Sequence, residues 1–265
     1  MDKSGTTPLA GRRIAFLSWR DTGNPESGGA ENYLLHMAQG LLDLGARVTV
    51  FTAAYPGAPA RETIDGIDYV QFVGTGLVAT AVVFSSALPA MFGTFVKERF
   101  QRTYDAILAA PVDVEELVTA EMLWIGLRAA VFGCFPLIVT MFFGLEPRVT
   151  MLLVPIFAFV TALAFSAFGI TMAALVSKID QFNYVTTLVI TPLFLVAGTF
   201  FPIDQLPQGF QIAAQFNPLY QLVQLVRDAC FGMEAVDALR FLGLLTLAFV
   251  LWRIAINRLT KRLIL

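Results

Sequence analysis

Few side chains in this sequence have the type and spacing to do chemistry. Gly28-Gly29 stands directly ahead of a helix-forming run, where helix N-terminal amides could meet a phosphate. The same pair also serves as a plain tight turn. The only histidine, His36, falls inside that run and reads as a helix-face residue rather than a base. Cys134 lies in an apolar run and Cys230 in a later segment, so the two cysteines give neither a disulfide framework nor a metal site. Glu121 and Arg128 are two helical turns apart and would share a helix face, either lining a polar path or anchoring at an interface. No Gly-x-x-x-x-Gly-Lys-Ser/Thr run is present. We therefore predict no catalytic set and no metal ligands.

The elements that must position these residues follow from composition. The chain has 265 residues, 57% hydrophobic and 14% charged, with mean hydropathy +0.70. That places it among integral membrane proteins. A net charge of −2 gives no argument for nucleic acid. The first 70 residues hold 6 of the 18 Lys/Arg and 8 of the 20 Asp/Glu, so the chain divides into regions of different class, 1–70 and 71–265. The N-terminus lacks the apolar stretch of a signal peptide. Arg12-Arg13 is followed by only a short apolar run, Ile14–Trp19.

In the first region Ile14–Trp19 reads as a buried strand and Asp21–Gly29 as a glycine-rich loop. Ala30–Leu44 reads as an amphipathic helix, Val48–Thr52 and Ile67–Phe72 as further strands, and Tyr55–Gly66 as turn-rich. This order opens a parallel α/β unit of partial Rossmann type.

The second region predicts about five spans in a mostly α-helical bundle. They are a first within Tyr69–Val96, then Leu117–Gly144, Val149–Ser177, Phe182–Phe201 and Val236 to about Ile256. Pro202–Ala235 reads as short interfacial or re-entrant helices at Phe210–Phe216 and Leu219–Phe231. A charged island, Lys97–Glu121, separates the first two spans. Within it Phe100, Tyr104, Ile107 and Leu108 recur at helical spacing, Ala109-Ala110-Pro111 stops that helix, and Asp113 caps the next. Lys97, Arg99, Arg102, Lys178, Arg253, Arg258, Lys261 and Arg262 fall on one side of a five-span layout, against Arg148, Arg227 and Arg240 on the other. The positive-inside rule then places the island and the C-terminus in the cytoplasm of a multi-pass inner-membrane protein.

Two resemblances follow. The stretch RRIAFLSWRDTGNPESGGAENYLLHMAQGLLDLGARVTVFTAAYPG resembles the N-terminal end of a GT-B retaining glycosyltransferase, over about residues 10–70. In that reading Gly28 and Gly29 are a vestigial phosphate loop, and the donor-binding second domain is missing. TYDAILAAPVDVEELVTAEMLW, FLVAGTFFPIDQLPQGF and FNPLYQLVQLVRDACFG together resemble the membrane subunit of a type-2 ABC exporter of the lipooligosaccharide and nodulation-factor type.

The second resemblance implies that Arg102, Thr103, Tyr104, Asp105, Leu108 and Pro111 belong to a coupling helix docked on a separate ABC ATPase subunit. ATP would bind that partner, with no cofactor held by this chain. Two permeases would pair in the membrane, in contact with lipid, and export a lipid-linked saccharide, polysaccharide or amphipathic small molecule. The family has six spans, and the one without a counterpart here is the first. The alternatives are a membrane-anchored glycosyltransferase fragment or a non-functional fusion of two genes.

Overall fold

The computed structural model describes residues 8–18, 22, 27–52, 61–71, 73–142, 147–199, 203 and 207–263. Most of the Asp21–Gly29 loop, much of Tyr55–Gly66, and the ends of the predicted spans at Gly144 and Phe201 lie outside these residues.

Among the described residues the N-terminal unit has four strands, β1 (Arg13–Leu17), β2 (Arg47–Thr52), β3 (Arg61–Ile64) and β4 (Ile67–Gln71), with helix α1 (Gly29–Asp43) between β1 and β2. The sheet order is β1-β2-β4-β3. The first three in that order are parallel and β3 is antiparallel to β4. Ala38 of α1 packs with Val48, Val50 and Ile67, the apolar positions that alternate toward one face of the strands. Strand β3 is a departure from the sequence reading. It forms as the outer arm of a hairpin closed at Asp65-Gly66, where both residues take positive φ.

The remaining helices are α2 (Val73–Arg99), α3 (Thr103–Leu108), α4 (Val114–Phe142), α5 (Val154–Leu175), α6 (Gln181–Val185), α7 (Thr191–Leu195), α8 (Gln208–Gln215), α9 (Pro218–Phe231) and α10 (Ala235–Leu263). Among the described residues four helical stretches are long and apolar enough to cross a membrane: Gly76–Arg99, Val114–Phe142, Val149–Leu175 and Ala235–Leu263. The shortest, at 24 residues, covers about 36 Å at roughly 1.5 Å per residue, more than the hydrocarbon core of about 30 Å. A 3-10 turn, Val149–Leu153, leads into α5.

The fourth predicted span, Phe182–Phe201, is a shorter helical stretch. A π-helical turn, Thr186–Ile190, joins α6 to α7. Pro192 accounts for it: it has no N–H for the carbonyl four residues back, and its ring would crowd that turn. Widening the helix just upstream relieves the clash, and the Thr191 hydroxyl donates to the Thr186 carbonyl at 3.0 Å. The helix then ends in a turn at Val196–Gly198, with Gly198 at φ +68°. Its final turn still reaches the head of α2: a Cβ on Gly76 would lie 2.5 Å from the Thr199 carbonyl oxygen.

Small residues let the helices approach closely, as expected where lipid supplies no hydrophobic drive between helices. A Cβ on Gly169 of α5 would meet the Ala90 methyl at 2.5 Å, and one on Gly133 of α4 would meet Val82 at 2.5 Å. Helix α9 is buried along Leu222, Val223, Leu225, Val226 and Ala229, so it is inserted into the bundle rather than laid on it. Asn217 holds its entry. The Asn217 side-chain Oδ1 accepts from Leu219 N at 3.0 Å and its Nδ2 donates to the Leu193 carbonyl at 2.6 Å. Arg227 donates to the Gly198 carbonyl at 2.7 Å. Irregular backbone inside the bundle is thereby given hydrogen-bond partners.

Candidate functional site

The charged island becomes a compact site at one end of the bundle. Helix α2 runs without a break to Arg99. The chain then turns at Phe100–Arg102, with Arg102 in the left-handed region at φ 50°. Six residues of helix follow as α3, and Pro111 lies just beyond it. Helix α4 begins at Val114, where the Glu116 carboxylate accepts from Asp113 N at 3.2 Å and half of a capping box closes.

Tyr104 fixes α3 to the spans. Its side chain is 1% exposed, packed in one cluster with Val114, Leu117, Val118, Ala255 and Leu259. Its hydroxyl donates to the Glu121 carboxylate, which also accepts from Lys97 Nζ and, at 3.3 Å, from Thr94. Glu121 on α4 therefore joins α2, α3 and α4 through one carboxylate. Burial first, then the Glu121 charge, push the Tyr104 phenol well above its ordinary range, so the donor stays protonated at physiological pH.

The opposite side of α3 faces outward. Arg102, Asp105 and Pro111 are exposed, with Arg102 and Asp105 3.7 Å apart; Thr103 and Leu108 are half-buried. Of the six residues grouped as a docking segment from sequence, Tyr104 is thus turned inward and serves as the anchor. Phe100 is not part of the helix stripe predicted for it, because the left-handed turn precedes α3; it is 69% exposed.

The ends of two other helices, α5 and α10, meet beside this site. Arg262 of α10 pairs with Glu98 of α2 at 2.5 Å, and its Nη1 donates to the α5 carbonyls of Ala173 and Ala174 and to Val176 at 2.6–3.0 Å. A cation at a helix C-terminus meets both the carbonyls and the dipole there. Trp252 donates to Thr119 at 2.9 Å, and Arg253 lies 3.7 Å from Glu115. No sequence pattern links Glu98 to Arg262, which are 164 residues apart.

A second charged cluster sits at the other end. Arg240 pairs with Asp228 at 2.5 Å and with the buried Asp237 at 2.7 Å. Two carboxylates around one cation, with burial as the largest cause, raise Asp228 to about 6. The i,i+3 spacing of Asp237 and Arg240 is legible in sequence; their meeting with Asp228 is not.

Glu121 and Arg128 are not brought together. Glu121 is committed to Lys97 and Tyr104, whereas Arg128 is exposed on the outer face of α4, with no hydrogen bond or ion pair to any described residue. At the N-terminal unit Gly28 N donates to the Glu31 carboxylate at 2.8 Å. An anion arriving at that helix end meets a carboxylate already in place, and a Cβ at Gly29 would touch nothing. Among the described residues no group of three or more His, Cys, Asp or Glu is arranged to hold a metal.

A helical bundle of membrane-crossing length, with a short broken helix pinned across one end, defines a multi-pass membrane protein. The family described as ABC-2 type transporter matches residues 41–231. Nodulation protein J of Rhizobium leguminosarum bv. trifolii is 33% identical over 189 residues, 71% of this chain and 72% of that one. Nodulation protein J of Rhizobium meliloti is 32% identical over 183 residues, 69% and 70% of the two chains. Inner membrane transport permease YadH of Escherichia coli is 25% identical over 185 residues, 70% and 72% of the two chains. The chain belongs to the ABC-2 type transporter family.

Proposed function

We propose that this chain is the permease subunit of an ATP-driven exporter, coupled to a separate ABC ATPase through the outward face of α3. The observation that carries this reading is the two-sided construction of α3. Its inner side is fastened to α2 and α4 through Tyr104 and Glu121, and its outer side presents Arg102, Asp105 and Pro111. A push on the outer side reaches the spans through a charged, buried joint rather than through a free loop. The α3 end also gathers Lys97, Arg99, Lys178, Lys261 and Arg262, which favours a cytoplasmic position for α3 and for the C-terminus.

Two copies pair in the inner membrane, each with its ATPase below. The exported molecule is a lipid-linked saccharide, a polysaccharide or an amphipathic small molecule. Nucleotide is bound and hydrolysed on the partner, and this chain holds no cofactor. The docking residues are Arg102, Thr103, Asp105, Leu108 and Pro111, with Tyr104 transmitting from beneath. The described residues of the N-terminal unit keep a small core around Ala38, Val48, Val50 and Ile67, and the sequence resemblance gives this unit the outline of a glycosyltransferase N-terminus.

Purification of the tagged chain from mild detergent tests this. An ABC ATPase subunit is expected to co-purify with wild type and to be lost from Asp105→Arg, while membrane insertion of the variant is unchanged. Equal recovery of the ATPase with the variant overturns the α3 docking assignment.

A further inference from the structure

Helix α4 carries a guanidinium at a depth where hydrocarbon offers it no partner. Arg128 lies seven residues beyond Glu121, about 10 Å deeper along the helix at roughly 1.5 Å per residue. Its neighbours on the outward face are apolar and exposed: Trp124, Val131, Phe132 and Phe135. A guanidinium is costly at such depth unless it meets an anion, a dipole or water. No described residue of this chain supplies a partner. The carboxylates within the four spans are already engaged: Glu98 with Arg262, Glu115 with Arg253, Glu116 with Asp113 N, Glu121 with Lys97, and Asp237 with Arg240. The spans of a second copy docked on this face would therefore bring no unengaged carboxylate to Arg128.

Beside Arg128 a groove of about 430 Å³ runs between α4 and α5, lined by Leu127, Val131, Cys134, Phe135, Ile156 and Phe159. That volume falls within the range of ligand sites, roughly 300–1,000 Å³. Side chains on a helix lean toward its N-terminus, so the Arg128 guanidinium leans toward the α3 end while the groove extends the other way, toward Ile138. Cationic head and apolar trough thus stand in the order of an anionic lipid's phosphate and acyl chain, for a lipid of the leaflet on the α3 side.

We propose that Arg128 and the α4–α5 groove form a binding site for an anionic phospholipid, with the phosphate on Arg128 and one acyl chain along Val131, Cys134 and Phe159. The site is separate from the α3 docking face and does not depend on the export reading.

The test is native mass spectrometry of the purified full chain, titrated with dioleoyl-phosphatidylglycerol or dioleoyl-phosphatidylcholine. Wild type is expected to hold the anionic lipid about tenfold more tightly than the neutral one, the scale of one charge-assisted contact. Arg128→Gln is expected to bring the two lipids to parity, and Arg128→Lys to keep much of the preference. Cys134→Phe, which fills the groove, is expected to weaken both lipids alike. Helical content and thermal unfolding of each variant are checked alongside, since Arg128 is exposed and makes no internal bond. An unchanged preference in Arg128→Gln overturns the proposal. So does a variant that changes the oligomeric state with lipid binding unaltered, which would assign the face to a second copy.

Discussion

Replacing Tyr104 with Phe separates the joint beneath α3 from everything else the helix does. The ring stays in its buried cluster and only the hydroxyl is lost. Glu121 keeps Lys97 and Thr94 but loses the donor that ties it to α3. A hydrogen bond to a charged group contributes about 1.5–3 kcal/mol, so Tyr104→Phe is expected to lower stability by about that much. Glu121→Gln weakens the same bond and the Lys97 pair together. The double variant should then cost less than the sum of the singles, with a coupling energy of about 1–2 kcal/mol. Asp105→Ala on the outer side breaks only an exposed pair and should change stability by less than about 0.5 kcal/mol. Thermal and denaturant unfolding in detergent reads the stability. Substrate-stimulated ATP hydrolysis by the reconstituted complex reads the coupling, which should fall in Tyr104→Phe even at temperatures where it is fully folded. Strictly additive effects of Tyr104→Phe and Glu121→Gln, or wild-type coupling in Tyr104→Phe, would refute a force path through this joint.

Three further outcomes follow from other contacts. Arg262→Ala leaves Glu98, whose side chain is 9% exposed, with only the half-exposed Arg99 at 3.5 Å and frees the carbonyls at the end of α5; a loss of about 3 kcal/mol is expected by thermal unfolding, with Arg262→Lys recovering only part. Gly169→Val must push α2 and α5 apart at Ala87 and Ala90, with an expected loss of about 1–3 kcal/mol, whereas Gly93→Ala, where a Cβ meets nothing, should be silent. Asp228 has a folded value of about 6, above the ordinary carboxylate value of 3.8. The folded protein therefore holds a proton that the unfolded chain has released between those values. Its stabilising contribution is complete below about 3.8 and is lost as pH rises through about 6. Asp228→Asn should flatten the unfolding temperature between pH 4 and pH 7 and leave the Asp237–Arg240 pair intact, and an unchanged slope would count against it.

The spans were legible because bilayer thickness sets one requirement, a long apolar run, which composition reports directly. Helices α8 and α9 begin and end within two residues of the predicted segments, since Pro207 and Pro218 mark their starts. Phe182–Phe201 satisfied the same apolar count but yielded a shorter, widened helix, because hydropathy does not register the missing N–H of Pro192. Strand β3 was hidden in a polar, turn-rich stretch and depends on pairing with β4. At the site, spacing gave Tyr104 an apolar stripe to share. Its partner Glu121 is 17 residues away on another helix, so which side faced inward was not readable. Arg128 and Glu121 share a helix face by periodicity, yet Glu121 is captured by α2 and α3 before it can serve Arg128.

The proposed coupling requires α3 to lie across the cytoplasmic end of the spans, where an ATPase can reach it. A single engineered cysteine at Asp105, in a chain with Cys134 and Cys230 replaced, reads this directly with a membrane-impermeant maleimide. The account predicts no labelling of intact cells from outside and full labelling once the membrane is opened. Labelling from outside intact cells would contradict it.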